Sequence, residues 1–143
     1  MQIACTSSRC DTTRLLDTCN GNVACVRKRG PKAIASFGSR LKSIVERLRA
    51  AARTSDMVVT GAWNPDPGQL EQLKPTYRSL EASIARAVTP SGARVARMIP
   101  VFNPPVNGKA RLCALTFICA KGDPHPTDAG YRAMADAVMR AAG

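Results

Sequence analysis

Gly122-Asp123-Pro124-His125-Pro126-Thr127-Asp128-Ala129-Gly130-Tyr131 holds the chain's one histidine between two prolines and two residues after a carboxylate. A proline disfavours helical backbone in the residue before it, so Asp123 and His125 are both expected to be extended. Side chains two apart on an extended segment point to the same side, which puts the Asp123 carboxylate within reach of the His125 ring. A carboxylate on one ring nitrogen fixes the tautomer and leaves the other nitrogen as a base, the arrangement used in acyl transfer. The same residues also describe a loop histidine stiffened by prolines and bonded for structure, and the local pattern leaves both readings open.

The elements that would position this segment follow from periodicity. Thr127 is a natural N-cap for a helix from about Asp128 to Ala142, with Tyr131, Met134/Ala135 and Val138 on its inner face. Residues 100–126 read as loop, with Cys113 and Cys119 enclosing Ala114 to Ile118. Arg94 to Ile99 is a short mixed strand. Before it, Leu70, Leu73, Tyr77, Leu80, Ile84 and Val88 fall on one helical face, with Pro75 as a kink or first turn and Thr89-Pro90-Ser91-Gly92 as the stop. Met57 to Trp63 is an unbroken apolar run, as in a strand covered on both faces. Ile34, Phe37, Leu41, Ile44/Val45, Leu48 and Ala51/Ala52 predict an amphipathic helix from Ala33. Residues 1–32 read as a disulfide-rich loop segment, with Cys5–Cys10 and Cys19–Cys25 the preferred local pairs among the roughly 15 pairings that six cysteines allow.

That order of elements is the grammar of an α/β fold with a parallel sheet. Two good strands are few for such a sheet, so residues 1–5 or another copy of the chain are expected to complete it. The chain is expected to be one domain over 1–143.

Composition narrows the function. The chain has 143 residues, 21 Lys plus Arg against 10 Asp plus Glu, a net charge of +11 and 45% apolar residues, which excludes a disordered chain. Apolar runs are too short for a membrane span. One histidine and no Cys-x-x-Cys argue against a zinc module, so no metal or cofactor is expected. The charge invites nucleic acid, but aromatics are 4% and nothing interleaves them with basic residues. No specific nucleic-acid partner is expected. Basic residues instead favour anionic surfaces or substrates.

Asp123-Pro124-His125-Pro126-Thr127-Asp128-Ala129-Gly130-Tyr131 and the following Arg132 to Val138 resemble the C-terminal signature of the SGNH hydrolases, also called GDSL esterases and lipases. Leu112 to Cys119 is similar to the disulfide-closed loop of secreted bacterial members, and Met57 to Pro65 to a strand segment of that family. The resemblance covers roughly residues 33–143. It implies a partial flavodoxin-like, three-layer α/β fold with a short parallel sheet and flanking helices. It also implies an ester hydrolase acting on small acyl-ester or lipid-like substrates, with His125 as base and Asp123 as its orienting acid. Many members place that acid three residues before the histidine, where this chain has Gly122.

The family's Gly-Asp-Ser nucleophile motif and its Gly-x-Asn-Asp segment do not occur here. The resemblance therefore implies the C-terminal half of such a domain, from a secreted or extracytoplasmic protein, self-associating to cover its exposed sheet. Ser7 and Ser8 are the candidate nucleophiles, and Asn64 is a candidate oxyanion donor, though a turn residue before Pro65 is the plainer reading. The alternative function is an inactive remnant serving as a basic, disulfide-stabilised binding module.

Overall fold

The structure, a computed structural model, describes residues 18, 19 and 22–143. Helix α1 (Val23–Ala51) is capped by Asn22, whose side chain accepts the Cys25 N–H at 3.0 Å. The Cys19–Cys25 disulfide clamps the chain ahead of the helix to its first turn. After α1 come β1 (Val58–Thr60), α2 (Leu70–Val88), a 3-10 turn (Thr89–Ser91) and β2 (Arg94–Ala96). The chain ends with three short or medium helices, α3 (Ile99–Phe102), α4 (Gly108–Leu115) and α5 (Ile118–Lys121), and then α6 (Asp128–Ala142).

β1 and β2 pair in parallel, with Val58 opposite Arg94, Val59 opposite Val95 and Thr60 opposite Ala96. Strand side chains alternate between faces, so this narrow ribbon divides the core. Val59 and Val95 pack with Val45 of α1 and Ile84, Ala87 and Val88 of α2. Val58 and Ala96 face the other way, onto Met98, Phe102, Leu112, Leu115 and Ala137. A third cluster, Cys19, Val26 and Leu73, seals the start of α1 against α2.

The three-layer, flavodoxin-like α/β arrangement implied by the family resemblance is not what forms. Of the described residues 68% are helical, and the sheet is two strands of three residues. The apolar run from Met57 stops being strand at Thr60. Gly61 still donates to the Ala96 carbonyl at 2.8 Å, but Trp63 then turns inward to stack on Phe102 with ring centroids 4.5 Å apart. The stretch 100–126, expected to be loop, instead folds into α3, α4 and α5, because Val101, Phe102, Leu112 and Leu115 each need a buried side. Residues 1–5, the suggested third strand, lie outside the described residues, as does the Cys5–Cys10 pair.

Residues 23–32 are likewise helical rather than loop. Pro31 lacks the N–H that would bond Arg27, yet α1 runs through it. Arg27 is exposed, so water can satisfy its carbonyl, and Gly30 is buried toward α2, with Thr76 Cγ2 3.6 Å from where a Cβ would stand, an ordinary contact distance. Tyr131, placed inward by residue type, is about half exposed. The inner face of α6 runs through Gly130 and Ala137.

Gly130 sets how closely α6 meets α4. A Cβ there would overlap the Leu115 carbonyl oxygen and stand 2.8 Å from Pro126 Cβ. Gly130→Ala should therefore destabilise the protein by about 1–3 kcal/mol, the usual cost of forcing atoms into a packed contact. Urea unfolding measures this, and an unshifted midpoint would show that the α4–α6 contact gives way freely.

Candidate functional site

The segment between α5 and α6 is held from both ends. Gly122 closes α5 in the left-handed region at φ 69°, which glycine adopts without steric cost. At the other end Thr127 caps α6: its hydroxyl accepts the Gly130 N–H at 3.2 Å and donates to the Ala114 carbonyl at 3.3 Å. Between them an antiparallel bridge joins Thr116 and Pro126. The Phe117 N–H donates to the His125 carbonyl (3.0 Å) and the Thr127 N–H to the Leu115 carbonyl (2.9 Å). Cys113 and Cys119 flank the Thr116–Phe117 side of this bridge and are disulfide-bonded.

Within that frame Asp123 and His125 meet as expected. His125 Nδ1 is 2.5 Å from Asp123 Oδ1, and the His125 backbone N–H donates to the same oxygen at 2.9 Å. The carboxylate thus takes Nδ1–H as donor, leaving Nε2 with its lone pair. The His125 side chain is 74% exposed, so Nε2 opens to solvent. Asp123 sits below the ordinary carboxylate range, first because of the His125 backbone N–H, then because of the ring, with Lys121 adding a smaller pull. Lys121 is itself held over the Phe117 ring, 4.7 Å from its centroid.

Asn64 is 2% exposed and makes an Asx turn after β1. Its Oδ1 accepts the Asp66 N–H (2.9 Å) and its Nδ2 donates to the Gln69 carbonyl (3.2 Å). Its backbone is paired with the Asn103 amide, N–H to Oδ1 at 2.7 Å and Nδ2 to carbonyl at 3.0 Å. The amide therefore stabilises the turn, the plainer of its two readings. Even so, Asn64 lines the same 390 Å³ cleft as Gly122 and Pro124, the residues on either side of Asp123.

Tyr77, which periodicity places only on the apolar face of α2, reaches into that cleft too. Burial pushes its phenol up to about 12, and the Asp66 carboxylate adds to the rise. It stays a neutral hydrogen-bonding group at any working pH. Nothing in the spacing Leu73-x-x-x-Tyr77 distinguishes a lining hydroxyl from a packed ring.

Ser7 and Ser8 lie outside the described residues. Ser43 donates to the Ser39 carbonyl one turn back, as serines in helices often do, and Ser83 of α2 donates across to the Ile34 carbonyl of α1. Among the described residues, no group of three or more His, Cys, Asp or Glu is placed to hold a metal ion, and no helix is long and apolar enough to cross a membrane. Comparison with known proteins finds no matching family model, no matching curated protein and no matching solved structure.

The hydrogen bonds on Asp123 yield a pH prediction. Its folded value is lowered, so the loop gains stability above the ordinary carboxylate range and loses it as pH falls through the lowered value. His125→Ala removes the ring but keeps the backbone N–H. Carboxyl-detected NMR should then show Asp123 titrating higher than in the wild type but still below an unperturbed aspartate. A full return to the ordinary value would mean that the ring, not the backbone, holds it down.

Proposed function

We propose that the chain is a carboxylic-ester hydrolase in which His125 acts as the general base and Asp123 orients it. The observation that carries this reading is the Asp123–His125 pair, with Nδ1 held by the carboxylate and Nε2 open to solvent. In the reaction Nε2 takes a proton from the attacking oxygen as it adds to the ester carbonyl. The imidazolium so formed, stabilised by Asp123, returns the proton to the departing alkoxide. The attacking oxygen is a water molecule or a serine hydroxyl, Ser7 and Ser8 being the candidates carried by the sequence.

Small or lipid-like acyl esters remain the proposed substrates. The neighbouring cleft supports this, because Val26, Leu73 and Ile118 give it an apolar lining beside polar Asn64 and Tyr77. The similarity of the Asp123–Tyr131 segment to SGNH hydrolases supports the same chemistry without extending to their fold. An extracytoplasmic site of action belongs to this proposal, and the two disulfide-bonded cysteine pairs are consistent with it.

Positioned general bases contribute about 10²–10⁴-fold to rate. His125→Ala should lower hydrolysis of p-nitrophenyl acetate by about that factor, and Asp123→Asn by a smaller one, with unfolding midpoints close to wild type. Rates untouched by His125→Ala would end the proposal.

The disulfide beside the site makes a separate test. Replacing both Cys113 and Cys119 by serine should cost about 2 kcal/mol of stability for so short a loop. It should also cut the esterase rate beyond any loss of folded protein, because the bridge that holds His125 springs from the same loop. Unchanged turnover per folded molecule would show that the clamp serves stability alone.

A further inference from the structure

A second cavity, of 440 Å³, lies between the end of β2, α3, α4 and α6. Three arginines line it from three different elements: Arg97 just after β2, Arg111 on α4 and Arg140 in the last turn of α6. Arg111 is anchored by its Nε, which donates to the Val101 carbonyl at 3.3 Å, and this leaves its two terminal nitrogens available. Arg97 is anchored the same way, its Nε 3.3 Å from the buried Glu81 carboxylate. Arg140 makes no ion pair among the described residues. Asp136 also lines the cavity, and it too is outside every ion pair among them.

Three guanidinium groups around one concavity repel each other and focus a positive potential into it. Glu81 offsets part of that charge at Arg97, and the Asp136 carboxylate on the cavity wall offsets a further part. The net charge of the lining stays positive and is complementary to an anion. Guanidinium forks match carboxylate and phosphate alike, but a planar carboxylate offers two oxygens on one edge. Forks arriving from three elements suit a tetrahedral group, which offers oxygens in three directions. The floor adds a second preference. Ala133, Ala137 and Ala141 recur at four-residue steps along α6, leaving a shallow apolar trough beside the arginines.

The geometry points to a binding site for a phosphate monoester carrying a compact apolar group, separate from the His125 site. Such a phosphate is found on a free small molecule or on a lipid headgroup, and the two sources are distinguishable. Phenyl phosphate titrated calorimetrically into the intact chain should bind saturably. Arg111→Gln and Arg140→Gln should each weaken it about tenfold or more, as loss of a charge-assisted contact does. Lys28→Gln combined with Lys32→Gln, on the exposed side of α1, should leave it unchanged. Arg140→Gln guards against a folding artefact, since that side chain makes no ion pair to lose. If phenyl phosphate fails while phosphatidylcholine vesicles containing phosphatidic acid are bound with the same dependence on Arg111 and Arg140, the site takes the headgroup. Three results would overturn the proposal: no binding of either probe, equal loss in the α1 control, or benzoate binding as tightly as phenyl phosphate.

Discussion

Everything in this protein is arranged around a parallel pair of strands only three residues long. Such a pair has little stability of its own, and parallel strands are normally buried on both faces. Here the burial comes from helices that contribute most of the apolar surface themselves. Val59 and Val95 give α1 and α2 a common floor, while Val58 and Ala96 do the same for α4 and α6. The ribbon works less as a sheet than as a spacer that fixes where two helical groups may sit. Its loss would leave both groups without a shared reference.

The two candidate sites inherit that division. The Asp123–His125 loop is presented by α5 and α6 and opens toward the start of α2, where Tyr77 and Asn64 line the cleft. The arginine-lined cavity uses the opposite end of α6 together with the end of β2. One helix thus supports both, its first turn at the dyad and its last at Arg140. The net charge of +11 is spread over the sequence without a motif, and three of its arginines line this second cavity.

Sequence patterns foretell the structure where local physics decides the outcome. The Thr127 cap, the Asp123–His125 contact and the Cys19–Cys25 and Cys113–Cys119 pairs all depend on residues a few positions apart. The same holds for the body of α2, whose pattern is strongly periodic, and for the strand near Val58, which is uniformly apolar; the mixed run at Arg94 also forms a strand. What failed depends on distant neighbours. Residues 23–32 read as loop by local rules, but Val26 packs with Cys19 and with Leu73 of α2, and α1 runs on through Pro31. Residues 100–126 have no periodicity long enough to reveal α3, α4 and α5, which exist because Phe102, Leu112 and Leu115 find a common core. The implied three-layer sheet was an inference from a family's whole domain, and a motif near one end of the chain could not secure it. The shared cavity of Arg97, Arg111 and Arg140 was illegible for the same reason, since those positions meet only through the fold.

The tight bracing of the His125 loop has one more consequence. Disulfide, strand bridge, dyad and helix cap all close within residues 113–130, so each contact spans a short chain separation. Contacts of that kind form early and with little loop-closure cost, independently of how the remaining helices assemble. The placing of the histidine against the aspartate is therefore set by immediate chain neighbours, and not by how α1 and α2 pack together.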